Sequence, residues 1–230
     1  HDLGPHTYRF NWSEKNGILY TCQAGHIDIA HVRKAADWTG YLAATTLQYL
    51  QRGQTAFRFK LHEPSVYFVE LTFPPDWSSR PAEDRRRIAC EVASSLGQHL
   101  AYTALTWHEI LTWFGYRPKP WQTEFPSAFS WEDTYSNLLG IYVAADALAA
   151  GERPFSQTVT LGLQQAIDSL EPQPADVAQG AARAMRGDWF SKRGPFTLIH
   201  MRNFDIGFDD GYVTPTLVSG VPSCDGVQSR

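Results

Sequence analysis

The chain is poor in cysteine. Cys22, Cys90 and Cys224 are the only three in 230 residues, and no C-x-x-C pair occurs, which removes the usual thiolate zinc sites. Cys90 falls in a helical pattern and reads as a small core residue. Cys22 and Cys224 are open to pairing as one disulfide in an oxidising compartment. Otherwise Cys22 is a candidate nucleophile, with His31 or His108 to activate it. Positive charge is not in excess: the net charge is −4, and no nucleic-acid partner is expected without a basic face. No apolar run approaches the roughly 20 residues of a membrane span. No signal peptide is visible at His1-Asp2-Leu3, and a sequence that does not open on Met leaves a removed leader open. There is no Gly-x-Ser-x-Gly elbow, phosphate loop or dinucleotide fingerprint. Internal repeats and low-complexity segments are missing too.

What is present is one domain's worth of sequence, 1–230, long enough to bury a core without staples. Eight Trp suit a large core or a sugar or amphipathic ligand. The segment 1–17 looks irregular. Ile18 to Cys22 reads as a strand and Ile27 to Ile29 as a short extended piece. From Ala30 to Leu50 the apolar spacing is helical, Gly53 stops it, Asp28 is placed to cap it, and Arg33 faces Asp37 at i, i+4. Thr55 to His62 and Val66 to Phe73 alternate as a hairpin joined by Glu63-Pro64-Ser65. Ser79 is placed to cap, and Pro81 to open, a long helix that runs to Phe114 and is broken by Arg117-Pro118-Lys119-Pro120. Ser130 is placed to cap a helix to Ala149. Helices follow at Phe155 to Leu170 and Pro174 to Met185, then a strand at Phe196 to Met201. The tail 203–230 is loop-rich, with one further strand expected at Tyr212 to Val218. The fold class is α+β, predominantly helical, with a β-hairpin and a few short strands.

Three polar stretches are candidates for chemistry. Trp107-His108-Glu109-Ile110 ends the long helix in an apolar, aromatic setting. Cys90, Ala93, Gly97, Ala101, Ala104 and His108 share one side of it. Asp133, Asn137, Gly140 and Ala144 share one side of the next helix, and packing of these two small-residue stripes on each other would set Asp133 near His108. Gly25-His26-Ile27-Asp28-Ile29-Ala30-His31 opens the earlier helix. A neutral imidazole binds a metal through one nitrogen, and an adjacent glutamate can polarise bound water. The short zinc-hydrolase pattern is incomplete, because Thr112 stands where its second His would be. His31 in a first helical turn gains nothing from the dipole when protonated, which favours the neutral ligand form. Each stretch also has a plain reading. His108 reads as a buried, hydrogen-bonded histidine with Glu109 in a salt bridge. Ser130-x-x-Asp133 reads as a helix cap with acids in the first turn. Asp28 and His31 read as a cap beside a buried histidine. His62, His99 and His200 stand alone.

Together these stretches resemble a known family. Leu3-Gly4-Pro5-His6-x-Tyr8, Asn16-Gly17-Ile18-Leu19-Tyr20-Thr21-Cys22 and Ile27-Asp28-Ile29-Ala30-His31-Val32-Arg33 carry the resemblance. So do Trp107-His108-Glu109-Ile110, Ser127-Ala128-Phe129-Ser130 with Glu132-Asp133, and Arg202-Asn203-Phe204-Asp205. The chain is similar over nearly its whole length to the bacterial domain-of-unknown-function family numbered 4056. That resemblance implies an exported protein of the periplasm or outer envelope, with a possible lipid anchor upstream, and names no activity. The leading expectation is a metal-dependent hydrolase acting on a peptide or glycan component of the envelope, such as a cell-wall amide bond. His31, His108 and a carboxylate from Asp133 or Glu132 would hold one divalent metal, zinc by the mixed N and O ligands. Glu109 would be the general base, and Asp28 a further ligand or the partner of His31. The alternatives are a non-catalytic envelope binding protein with buried polar networks, and the cysteine hydrolase.

Overall fold

In the computed structural model the described residues are 2–8, 11–117, 124–151, 153–193 and 196–224. The helix-breaking Pro118-Lys119-Pro120 and the end of the tail therefore lie outside them. The elements are β1 (Ile18–Thr21), β2 (Gly25–Asp28), α1 (Ile29–Gln51), β3 (Ala56–Phe59), β4 (Tyr67–Glu70), α2 (Ala82–Trp113), α3 (Asp133–Ala150), α4 (Phe155–Ser169), α5 (Ala175–Met185), β5 (Phe190–Arg193) and β6 (Phe196–Ile199), with 3-10 turns at Trp77–Ser79 and Pro222–Cys224. The class is α+β and mostly helical. The strands form three separate antiparallel pairs, β1 with β2, β3 with β4 and β5 with β6.

Helix α1 is the centre. Its start is fixed by Asp28, whose carboxylate accepts from the backbone N–H of Ala30 (2.7 Å) and His31 (3.4 Å), a side-chain cap typically contributing about 1 kcal/mol. Both α2 and α3 pack chiefly on α1 rather than on each other. Glycine is what lets them approach. A Cβ at Gly97 of α2 would stand 2.8 Å from Ala43 of α1, and one at Gly140 of α3 would stand 2.1 Å from the Val32 carbonyl. The two stripes of small residues thus serve chiefly the α1 contact, and the expected contact between α2 and α3 is present but smaller. Cys90 is a second correction. It is exposed, and Ala89 and Ala93 face the core instead. One apolar cluster joins α1, α3 and α4 through Ile29, Val32, Ala144, Val159 and Ile167. Another joins α1 and α2 to the β3–β4 hairpin through Leu42, Phe57, Phe59, Ala104 and Leu105.

Several local expectations change for tertiary reasons. Arg33 and Asp37 do not pair. Arg33 donates to the Leu3 carbonyl (2.6 Å) and faces Glu14 at 3.8 Å, while Asp37 binds His6 Nε2 at 2.8 Å, because the N-terminal segment folds over this face. Ser79 closes a 3-10 turn, its hydroxyl donating to the Asp76 carbonyl, and α2 begins after Pro81 without a side-chain cap. Strand β5 was not expected, and 212–218 is not a strand. There Asp205 accepts from the N–H of Thr214 (2.8 Å), so a side chain takes the place of a strand partner. Cys22, in the β1–β2 turn, is disulfide-bonded to Cys224, and Tyr20 donates to the Val218 carbonyl beside it.

Candidate functional site

The beginnings of α1 and α3 and the last turns of α2 converge on one cleft of about 500 Å³. Asp28 and His31 come from the start of α1, His108, Glu109 and Thr112 from α2, and Ser130, Glu132 and Asp133 from the start of α3. The α1 and α3 ends are helix N-termini, whose partial positive charge favours carboxylates. Helical spacing explains the α2 contribution: Glu109 and Thr112, three apart, share the buried face, and His108 sits half-buried beside them.

Three side chains in the cleft can meet at one point. Ligand atoms of His31, Glu109 and Asp133 all lie within 4.8 Å of one another. Around them Asp28 Oδ2 stands 3.0 Å from His31 Nδ1, and Asp133 Oδ1 stands 3.6 Å from the same nitrogen. Glu109 Oε2 accepts from the N–H of Phe129 at 2.8 Å, and Asp133 Oδ2 from the N–H of Ser130 at 2.9 Å. This last bond is the reciprocal half of the expected capping box, but Ser130 is not the cap: α3 starts three residues after it, with Glu132 at the N-cap position. Phe129 holds a positive φ of 54°, a conformation that costs a bulky residue of order 1 kcal/mol. Arg202 holds that segment, donating to the carbonyls of Ala128, Pro126 and Phe125.

The electrostatics are those of an acid-rich, poorly hydrated pocket. Burial pushes the Asp133 carboxyl well above the usual range, with Glu109 and Glu132 adding repulsion against the pull of His31. Burial likewise pushes Glu132 up to about 6, against hydrogen bonds from backbone and Ser130. Burial alone would depress His31, but Asp133, Asp28 and Glu109 outweigh it and raise the imidazole to about 9, so the metal-free site favours the protonated ring and not the neutral form expected from the helix dipole, and a metal would have to displace that proton. Asp28 is also desolvated, yet the His31 ring and two backbone N–H groups hold its carboxyl below the ordinary value. Glu132 Oε2 is buried without a hydrogen-bond partner.

His108 is in the cleft but not in the group of three. Its Nδ1 stands 2.6 Å from Glu63 Oε1 and its Nε2 3.4 Å from Glu124 Oε2. Glu63 was overlooked because it reads as a hairpin-turn residue. The turn docks on α2, with Ser65 accepting from Trp107 Nε1 (2.9 Å), and Glu63 ends up only 1% exposed. Burial would raise its carboxyl, but the His108 ring holds it below the usual range. Arg202, the cation whose field reaches both Asp133 and Glu109, was also overlooked as a site residue. Its signal was the polar Arg202-Asn203 pair after a strand. His26 lines an adjoining chamber and touches the rings of Tyr20 and Trp131. Of the solitary histidines, His62 stacks on Trp38 and His200 bonds Ser191. Cys22 carries no thiolate here, being bonded to Cys224, which removes the cysteine-hydrolase reading.

A family described as "Protein of unknown function (DUF4056)" matches residues 7–214. No curated protein and no solved structure matches the chain.

Proposed function

The chain belongs to the DUF4056 family, and we propose that it is a metal-dependent hydrolase whose divalent ion is held by His31, Glu109 and Asp133. The observation that carries this reading is the convergence of these ligand atoms within 4.8 Å. The acid excess supports it: Asp28, Glu109, Glu132 and Asp133 all line the cleft. Buried like charges are costly unless a cation or protons offset them. One imidazole with carboxylates is a hard, oxygen-rich set that suits zinc, manganese or magnesium. Asp28, bonded to the His31 ring, orients it.

A divalent ion here would lower the pKa of water and polarise a carbonyl. The chain's own groups supply the proton transfers. Glu132, poised near 6 in the same cleft, takes a proton from water as the oxygen adds to the carbonyl carbon. The C–N bond then breaks, and the leaving nitrogen receives a proton from His108, held in place by Glu63. This assignment moves Glu109 from base to ligand and His108 from ligand to proton donor. A peptide or cell-wall amide fits as substrate. The Cys22–Cys224 disulfide supports an oxidising, exported location such as the periplasm or outer envelope.

A second reading, a non-catalytic envelope protein, draws on a specific observation too. Glu109 and Asp133 each accept a backbone N–H, so Glu109 ties the loop before α3 to α2 and Asp133 ties it to α3. Elemental analysis of protein purified without chelator separates the two. The hydrolase predicts about one equivalent of metal, lost in His31→Ala and kept in His108→Gln. A protein that stays metal-free after loading with zinc and manganese overturns it in favour of the buried network.

A further inference from the structure

Next to the acid cleft is a second chamber of about 440 Å³, and the two share Ile18, Glu132, Thr197 and Ile199 as a common wall. Its far walls are mostly apolar, with Gln173 and Gln179 beside the apolar residues. The apolar part is formed by Leu19 of β1, Trp131, Phe190 of β5, and Ala175, Ala178 and Ala182 along one face of α5. Alanine at 175, 178 and 182 follows helical spacing, so α5 presents small side chains where larger ones would fill the space. Among the described residues no lysine or arginine lines the chamber, and the one carboxylate, Glu132, stands on the shared wall. Trp131 stacks at 6.1 Å on Phe190 and meets the edge of His26 at 5.6 Å.

Three polar atoms in this frame lack partners. Trp131 Nε1, His26 Nδ1 and Glu132 Oε2 are all buried with no hydrogen bond, on residues that are each 6% exposed. An unsatisfied buried donor or acceptor costs about 1–3 kcal/mol, and native proteins keep few of them. Three on one chamber point to a ligand that supplies what the chain does not. Apolar walls with a few polar groups are also the usual make-up of a small-molecule pocket.

We propose that this chamber is the specificity subsite of the cleft and takes an uncharged aromatic or branched apolar side chain attached to an amide. The inference rests on the hydrolase reading, because the shared wall places such a side chain beside the bond to be cleaved. The amide carbonyl next to the side chain is the acceptor that Trp131 Nε1 lacks. A charged side chain is disfavoured, since it would leave water for largely apolar walls; an anion would have no counter-ion there, and a cation only Glu132 on the shared wall.

The test uses the full chain, with N-acetyl-L-phenylalaninamide and N-acetyl-L-lysinamide as probes. Binding is read from the indole ¹H–¹⁵N resonance of Trp131. The phenylalanine probe is expected to shift that resonance saturably, and the lysine probe to bind at least about tenfold more weakly, a gap of about 1.4 kcal/mol. Ala178→Trp, which fills the chamber, is expected to abolish binding while leaving metal content unchanged. Ala182→Phe narrows the same space from the next turn and guards against misfolding of the first variant. Equal binding of both probes, no saturable shift up to the solubility limit, or binding retained in both filled variants overturns the inference. Failure of the hydrolase reading is seen separately: a protein that never loads metal yet binds the phenylalanine probe keeps the chamber as a binding site and loses the reaction.

Discussion

Helix α1 carries two charged clusters near its start, and they are built on different principles. On one side Arg33 and Asp37 meet the N-terminal segment: Asp37 binds the fully buried His6, and Arg33 faces Glu14 and the carbonyl of Leu3. Here a guanidinium answers the carboxylates, and the groups tie a loop to a helix. On the other side His31 is surrounded by Asp28, Glu109 and Asp133, with the unpartnered Oε2 of Glu132 nearby. There acids outnumber bases, burial raises two of them, and the group opens into a cleft. The first cluster has the chemistry of a fastening. In the second the acids still outnumber the cationic groups near them, His31, Lys34 and Arg202, and that excess is what the proposed metal would offset.

The largest way to break the comparison is to remove the cation from the first cluster. Arg33→Met leaves the nearly buried Glu14 without its counter-charge, and breaking a buried pair costs about 3–5 kcal/mol. Urea unfolding should show a loss of that order, with metal content unaltered. A loss confined to a few tenths of a kcal/mol would mean the N-terminal segment is held by other contacts and the first cluster is not a fastening.

The first cluster was also the one the sequence hid. Arg33 and Asp37 at i, i+4 look like a helix pair, because spacing reports neighbours on one element and says nothing of a segment arriving from elsewhere. Glu63 was hidden in the same way, since a turn residue between two strands carries no sign that the turn docks on α2. By contrast, amphipathic spacing made α1, α2 and the β3–β4 hairpin legible, and Asp28 was legible as a cap because its chemistry is local. The candidate site stood between these cases. His31, Glu109 and Asp133 could each be singled out by type and position, but which of them share a point depends on how α2 and α3 sit on α1. Gly97 and Gly140 set that contact, and their stripes looked equally suited to packing against each other.

A third histidine sharpens the contrast. His6 has Asp37 and His31 has Asp28, whereas buried His26 meets the rings of Tyr20 and Trp131, and burial lowers its imidazole to about 4. The free imidazole titrates near 6.5, so between these values the unfolded chain binds the extra proton. The His26 contribution is therefore fully present above about 6.5 and is lost as pH falls to about 4, reaching at most about 3 kcal/mol. Stability against urea, measured from pH 7 to pH 4, should fall more steeply in the parent than in His26→Phe. Parallel curves would show that His26 has a charge partner after all.

The finest test sets one acid from each cluster against the other. Asp37→Asn weakens the bond to His6 and should cost about 1–2 kcal/mol. Asp133→Asn should act in the opposite direction in metal-free protein. Because burial raises the Asp133 carboxyl in the folded state, its ionisation opposes folding: the favourable state is the protonated one, present below the unfolded pKa near 4 and lost as pH rises through the raised value. Asparagine keeps the shape without the charge, so at neutral pH the stripped variant should be more stable by about 0.5–2 kcal/mol. That gain should disappear below about pH 4 and be accompanied by loss of metal. If Asp133→Asn destabilises the stripped protein as Asp37→Asn does, the acids around His31 are a second fastening. The difference between the two clusters would then be one of wiring rather than of purpose.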